Sequence, residues 1–225
     1  MQPGGGGSVQ QLDEVVGAGP LLLDFDGPIC AMFAGLPAPL VAADLVRVVT
    51  PLADPPGMDD PLAVLRWADE HGSPALTAAV EEALIAAELV AAGRARPTPY
   101  AREVLAAARA KGVPVAVVSN NSAAAIELYL ARQGLTGYVD AVVGRPRADP
   151  RRMKPDPGPV LDAIEAVGST PSRCTLIGDS LTDIEAARAA GVAVIGYANK
   201  PWKIGAFTHA DAVITSMSEV VAALI

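Results

Sequence analysis

The sequence predicts an α/β protein in which a doubly wound parallel sheet carries a small all-helical cap, inserted after the first strand. Three observations predict this fold. Short apolar runs alternate with helical patterns, the runs are as hydrophobic as strands buried on both faces, and one long stretch contains helical patterns only. A chain of 225 residues has room for one such Rossmann-like domain with an insert, but not for two full-size domains.

The apolar runs are the predicted strands. Capping residues and glycines bound the helical segments between them: Thr98 and Pro99 open one segment that Gly112 closes. Strands that alternate with helices in this way are typical of a parallel sheet. The runs are Leu21–Asp26, Val113–Val118, Ala141–Val143, Cys174–Ile177, Val192–Ile195 and Ala212–Ile214.

The stretch from Leu36 to Gly93 contains no strand-like run, and proline and capping residues there mark three helices. An insert directly after the first strand lies over the carboxyl end of that strand, where ligands bind in open α/β sheets. We therefore expect a helical cap at residues 29–94, a core at residues 9–28 and 95–225, and a flexible glycine-rich tail at residues 1–8. The predicted cap helices are Pro39–Val49, Pro61–His71 and Pro74–Ala92.

Composition excludes several classes of function. A net charge of −8 and a pI near 4.7 disfavour binding to nucleic acid, whereas a small anionic substrate needs only a few local cations or a metal. No run is long enough to span a membrane, and the N-terminus lacks the pattern of a signal peptide. Cys30 and Cys174 have no metal-binding or disulfide spacing, which is compatible with a reducing cytoplasm, so we expect a cytoplasmic protein.

Two acids, Asp24 and Asp26, lie at the end of the first predicted strand. The strand period of two places both on one face while Phe25 points towards the core. Carboxylates this close raise each other's proton affinity, so the pair indicates a metal, a shared proton, or both. An isolated pair of this kind is also compatible with a solvated turn.

Polar residues follow later strands in the same manner. Ser119 and Asn120 follow the second predicted strand, Lys154 precedes a proline-rich helix start, and Asp179 and Asp183 follow a further strand. Taken singly, each is compatible with helix capping or a surface charge. Their order favours a shared site, because the carboxyl ends of parallel strands converge at one edge of the sheet.

These segments resemble the signatures of the haloacid dehalogenase superfamily. DFDG at Asp24 is similar to the first signature, VVSNN at Ser119 to the second, KPDP at Lys154 to the third and GDSLTDIEAARAAG at Asp179 to the fourth. The position of the insert resembles the C1 cap of the phosphoglycolate phosphatase-like branch. The resemblance extends from Leu21 to about Ile214 and implies a phosphatase of small phosphorylated metabolites.

The resemblance also implies a role for each residue. Asp24 would be the nucleophile, Asp26 the acid and base, and Lys154 would neutralise charge on the phosphoryl group and on Asp24. Ser119 and Asn120 would bind the phosphoryl group. The Mg²⁺ ligands would be Asp24, Asp26 through its carbonyl, and Asp179, with Asp183 orienting the metal shell.

Alternatives stay open within this resemblance. A phosphomutase keeps all the signatures, and a catalytically quiet binding protein could retain the fold. The dehalogenase branch lacks an acid at the position of Asp26, so the presence of Asp26 argues against that branch. The phosphonate-cleaving branch uses a lysine of the cap, and residues 27–93 contain no lysine. Pro28 departs from the usual β-branched residue after DFDG, which leaves the path of that loop open.

Substrate and assembly are not determined by these patterns. The basic residues between positions 27 and 93 are Arg47, Arg66 and His71, and they could contact the substrate or lie at the surface. We expect a monomer or a homodimer that acts on a small phosphorylated metabolite, with no nucleic-acid or membrane partner.

Overall fold

A computed structural model describes residues 12–17, 19–50 and 56–225, and the predicted tail at residues 1–8 lies outside the described residues. After residue 20 the strands are β1 (Leu21–Leu23), β2 (Cys30–Ala31), β3 (Arg96–Pro97), β4 (Val115–Val118), β5 (Ala141–Val143), β6 (Thr175–Gly178), β7 (Ala193–Tyr197) and β8 (Ala212–Ile214). Over the same range the helices are α1 (Ala38–Val49), α2 (Pro61–His71), α3 (Pro74–Ala92), α4 (Ala101–Ala110), α5 (Ala123–Arg132), α6 (Gly158–Ala166), α7 (Leu181–Ala190), α8 (Pro201–Ala206) and α9 (Met217–Leu224).

The main sheet has six parallel strands in the order β5-β4-β1-β6-β7-β8, so the predicted fold class is confirmed. Chain order reverses at β1, which lies between β4 and β6. Leu23 at the end of β1 pairs with Val117 on one side and with Ile177 on the other. The three strand ends are therefore level, and the loops that leave them begin at the same edge.

Both faces of the sheet are covered, as expected for a parallel sheet. Leu21 and Leu23 belong to a core cluster that includes buried residues of α4, α5 and α9. Leu22, which points the other way, belongs to a second cluster with α6 and α7. The period of two along β1 thus supplies apolar side chains to two layers of helices.

The helices α1, α2 and α3 lie between β2 and β3 in the chain and share an apolar cluster of their own, which includes Val41, Leu65 and Leu84. Each of the last two begins at a side-chain cap: Asp60 Oδ1 accepts from the amide of Leu62 at 2.9 Å, and Ser73 does the same at the start of α3. The antiparallel pair β2–β3 closes the base of the insert.

Two features differ from the sequence-based expectation. The first strand ends at Leu23, so Asp24 and Asp26 do not share the face of a regular strand. Asp26 instead forms an isolated bridge with Cys30 in the following turn. The pair β2–β3 was not predicted, because two-residue strands are too short to leave a hydrophobic pattern.

Pro28 lies buried in the turn between Asp26 and Cys30. The amide of Gly27 donates to the carbonyl of Cys30, and the amides of Ile29 and Cys30 donate to the carbonyl of Phe25. The backbone amides on both sides of Pro28 therefore have partners, and the turn accommodates the missing N–H of proline.

Cys30 and Cys174 are buried free thiols. Within the described part of the chain, no helix has both the length and the apolar character needed to cross a lipid bilayer.

Candidate active site

The carboxyl ends of β1, β4 and β6 bring the sequence-predicted residues together. Asp24 directly follows β1, Ser119 follows β4 and Asp179 follows β6. These residues line one cavity of about 270 Å³ together with Lys154 and Asp183. The cavity also contacts Asp26 and Asn120, so every predicted site residue lies on it.

The ammonium group of Lys154 is the centre of the site. It donates to Asp24 Oδ1 at 3.0 Å, to Asp183 Oδ1 at 2.5 Å and to the carbonyl oxygen of Val118 at 2.7 Å. Lys154 is 2% exposed, so this charge is removed from water and depends on the two carboxylates. Burial lowers the pKa of Lys154, but Asp183 and Asp24 outweigh burial and raise it above its ordinary value.

Asp24 is buried next to two other acids. Burial is the largest cause that raises the pKa of Asp24 to about 7, the charge of Asp183 adds to it, and Lys154 opposes both. One lysine does not compensate the negative charge here. Oxygen atoms of Asp24, Asp179 and Asp183 all lie within 4.8 Å of one another, which is a geometry that could hold a metal ion.

The position of Asp183 is fixed by a capping box at the start of α7. Its Oδ2 accepts from the amide of Ser180 at 3.0 Å, while Ser180 Oγ accepts from the amide of Asp183. Gly178 makes this arrangement possible, because a Cβ atom there would overlap the Asp183 carboxyl group. The other oxygen of Asp183 remains free for Lys154.

Asp179 is held by residues that the sequence signatures did not include. Asn199 Nδ2 donates to Asp179 Oδ2 at 2.8 Å, and Lys203 Nζ donates to the same oxygen at 2.6 Å and to the backbone carbonyl of Asp179 at 2.6 Å. Lys203 is 8% exposed. Asp179 is thereby held through Oδ2 and through its backbone carbonyl.

Asp26 lies in the turn after β1, where the amide of Met32 donates to its Oδ1 at 2.9 Å. Burial raises the pKa of Asp26 to about 6, and the bond from Met32 partly opposes this shift. Gly27 follows with φ of +118°, and a Cβ atom at this position would overlap the carboxyl group of Asp179. Glycine is therefore required here by conformation and by space.

Ser119 and Asn120 occupy the turn after β4. Ser119 Oγ lies 3.2 Å from Asn121 Oδ1, to which it donates. The side chain of Asn120 pairs twice with the backbone of Lys154, accepting from its amide at 2.9 Å and donating to its carbonyl at 3.0 Å. Asn120 thus fixes the segment that carries Lys154, which is a role that the sequence did not predict.

A buried ion cluster joins α3 to the core beside this turn. Arg145 Nη1 donates to Glu88 Oε1 at 2.7 Å and Arg145 Nη2 to Glu81 Oε1 at 2.8 Å. Glu88 also accepts from the amide of Ser122 at 3.0 Å. The exposed fractions of the charged side chains are 0% for Arg145, 2% for Glu81 and 1% for Glu88. The glutamates offset the effect of burial and raise the pKa of Arg145.

The three basic residues that sequence reasoning proposed as cap contacts do not line the cavity. Arg47 is exposed and pairs with Asp44. Arg66 pairs with Asp60 at 3.1 Å, and His71 stacks on Trp67 at the surface. The insert lines the cavity with other residues, namely Phe33, Ala38, Asp60, Pro61, Leu62 and Glu88.

The chain is similar to known hydrolases over most of its length. The model of the haloacid dehalogenase-like hydrolase family matches residues 42–191. The phosphoglycolate phosphatase of Escherichia coli (strain K12) is 34% identical over 98 residues, which are 44% of this chain and 38% of that protein. The phosphoglycolate phosphatase of Aquifex aeolicus (strain VF5) is 35% identical over 117 residues, which are 50% of this chain and 54% of that protein. The chain spans about half the length, or less, of these relatives.

Solved structures share the fold. The crystal structure of CbbY from Rhodobacter sphaeroides in complex with phosphate superposes with a TM-score of 0.69 at 18% identity, covering 91% of this chain and 98% of that one. At this identity the likeness shows a common fold.

The buried ion cluster generates a prediction about stability. Arg145→Met should lower the free energy of unfolding by about 3–5 kcal/mol, because two buried carboxylates lose their counter-charge. Urea unfolding followed by circular dichroism would measure the loss.

Arg147→Met is the matched control. Arg147 also pairs with a glutamate of α3, Glu82, but both side chains of this pair are exposed. Its cost should be about 0–1 kcal/mol. Equal losses in the two variants would contradict the assignment of Arg145 as the buried tie between α3 and the core.

Proposed function

Because the chain belongs to the haloacid dehalogenase-like hydrolases, we propose that it is a Mg²⁺-dependent phosphatase that hydrolyses small phosphate monoesters. The observation that carries this proposal is the contact of Lys154 with Asp24 and Asp183 on the cavity wall. A lysine buried between carboxylates gives local positive charge to a site that must admit a phosphate dianion. The phosphoglycolate phosphatases among the relatives support the same reaction class.

Asp24 is the proposed nucleophile. Its carboxylate faces the cavity from the end of β1, and an attack on phosphorus would form an aspartyl-phosphate as the alcohol leaves. Lys154 lies 3.0 Å from Asp24 and would screen the repulsion between the carboxylate and the phosphoryl oxygens. Ser119 and the backbone of Asn120 lie on the same cavity and would bind those oxygens.

Asp26 is the proposed acid and base. Met32 holds one of its oxygens, so the other can exchange a proton with the leaving oxygen and later with water. A pKa of about 6 suits both tasks, since such a group gives and takes protons near neutral pH.

The residues present fit a bound Mg²⁺. Carboxylate oxygens of Asp24 and Asp179 with the carbonyl of Asp26 are the hard ligands that this ion prefers. The pKa of Asp24 is raised first by burial and then by the charge of Asp183, and a bound cation would offset both effects. Asp183 would orient the metal shell from behind. Bound Mg²⁺ would supply positive charge where the phosphoryl group is attacked.

The helical insert is the proposed cap. We expect the insert at residues 29–94 to act as this cap, since several of its described residues line the cavity, and the β2–β3 pair at its base is the proposed hinge region. A cap in this place would exclude bulk water during the attack on phosphorus and reopen for release of the products.

Two alternative functions can be distinguished from a phosphatase by simple measurements. A phosphomutase would return the phosphoryl group to an organic acceptor, so release of inorganic phosphate in proportion to substrate loss favours the phosphatase. A catalytically quiet binding protein would show no turnover of any phosphate monoester. The cytoplasmic location and the monomeric or dimeric state stay predictions.

The nucleophile is tested by Asp24→Asn. This change should lower the rate of phosphate release by about 10³-fold or more, because the neutral amide of asparagine is not a nucleophile. The protein should stay folded, because the amide has the same size as the carboxylate. Phosphate release from p-nitrophenyl phosphate is the measurement. Asp162→Asn, which alters an exposed acid of α6, is the control and should keep full activity. Substantial activity of Asp24→Asn would remove Asp24 from its proposed role.

Removal of metal gives a second test. Chelation with EDTA should abolish turnover and Mg²⁺ should restore it, whereas KCl at equal ionic strength should not. Mg²⁺ should also raise the melting temperature of the wild-type protein, and this rise should shrink in Asp179→Asn. Full activity in EDTA would contradict the metal proposal.

A further inference from the structure

The far end of the cavity, where the alcohol part of a substrate would lie, has an unusual balance of charge. The phosphoryl group must lie beside Asp24 and Lys154, so the rest of the substrate extends towards the insert. The insert presents apolar side chains of Phe33, Pro61 and Leu62 there. Its two charged side chains on the cavity wall, Asp60 and Glu88, are both acidic.

Lys154 is the only cationic side chain on the cavity wall among the residues that the structure describes. A lysine ammonium has three N–H donors, and those of Lys154 are used by Asp24, Asp183 and the carbonyl of Val118. Lys154 is therefore committed to the phosphoryl end of the cavity and has no donor for a second anionic group.

The neighbouring cations are committed elsewhere. Arg145 directs its guanidinium nitrogens at Glu81, Glu88 and the carbonyl of Asn120, and its side chain is fully buried. Because one arginine faces two glutamates, this wall has an excess of negative charge. Lys203 donates to Asp179, and neither Lys203 nor the exposed Lys200 lines the cavity.

The insert cannot supply a cation from its undescribed stretch either. Residues 51–55 read PLADP, and residues 1–11 and 18 likewise contain no lysine, arginine or histidine. Arg47, His71 and Arg94 lie at the surface, and Arg66 is paired with Asp60 outside the cavity lining.

Asp60 is placed to contact the far end of a substrate. It caps α2 through Oδ1 and pairs with Arg66 through Oδ2 at 3.1 Å. Its side chain is 49% exposed, and of this exposed pair only Asp60 lies on the cavity wall, beside Pro61 and Leu62. A carboxylate here repels an anionic leaving group and accepts hydrogen bonds from hydroxyl or ammonium groups.

We propose that the alcohol released by this enzyme carries no negative charge, and that Asp60 is the residue that selects against anionic alcohols. This inference rests on the proposed phosphatase activity and narrows its substrates to phosphate esters of neutral or amino alcohols. Phosphoglycolate, whose leaving group is a carboxylate-bearing alcohol, is thereby disfavoured, although phosphoglycolate phosphatases are among the relatives.

Three esters of nearly equal size test the charge of the leaving group. Phosphoglycolate, 2-hydroxyethyl phosphate and phosphoethanolamine end in a carboxylate, a hydroxyl and an ammonium group. We expect kcat/KM for the hydroxyl and ammonium esters to exceed that for phosphoglycolate by at least about tenfold at pH 7.5 with Mg²⁺. The same order should hold for binding of the three esters to Asp24→Asn, measured by calorimetry.

The outcomes separate this inference from the proposed function. Turnover with phosphoglycolate equal to or better than the other two would overturn the inference and leave the phosphatase in place. Without turnover of any ester, including p-nitrophenyl phosphate, the proposed function fails, and the order of binding still decides the charge preference. If no ester binds, both fail.

Asp60→Asn tests the selecting residue, since asparagine also caps helices and retains the start of α2. It should raise the kcat/KM of phosphoglycolate relative to 2-hydroxyethyl phosphate by about threefold to tenfold. Glu70→Gln removes the same charge from an exposed site on α2 outside the cavity and should leave the ratio unchanged. An unchanged ratio in Asp60→Asn would remove Asp60 from this role.

Discussion

The contact of one buried ammonium group with two buried carboxylates is the constraint on which the site depends. Lys154 lies where the level ends of β1, β4 and β6 meet, and it draws an acceptor from each neighbourhood: Asp24, the carbonyl of Val118, and Asp183. A buried ammonium or carboxylate group without a partner would strongly destabilise the fold. The capping box of α7 and the side chain of Asn120 hold the partners in register, so the secondary structure and the ion pairs stabilise each other.

Much of this arrangement follows from the sequence because few geometries satisfy it. Apolar runs alternating with helices give a parallel sheet, and a parallel sheet brings the loops after its strands to one edge. The order of residues along the chain is therefore sufficient to place Asp24, Ser119, Lys154 and Asp179 together. The pattern predicted a first strand that is too long. The strand β1 ends at Leu23, and Asp26 lies in the turn that follows, where the amide of Met32 positions its carboxylate.

Other parts could not be predicted, because polar residues are ordinarily assigned to the surface. Glu81 and Glu88 are seven residues apart and therefore lie on one face of α3, and Arg145 comes just after β5. This spacing is the sequence pattern from which the ion cluster could have been predicted. It becomes recognisable only when α3 is known to pack on α5. Lys203 has no such signal, since its contact with Asp179 depends on the path of the chain from β7 into α8.

The guanidinium of Arg145 has a mechanical consequence for entry into the cavity. Withdrawing α3 from the core would separate this group from Glu81 and Glu88 and expose three charges at once, a step that costs several kcal/mol. The seam between α2 and the core carries a weaker ion pair, that of Asp69 with the exposed Arg151. Because α1 and α2 share one apolar cluster with α3, the Arg145 contacts tie not α3 alone but the three-helix insert to the core.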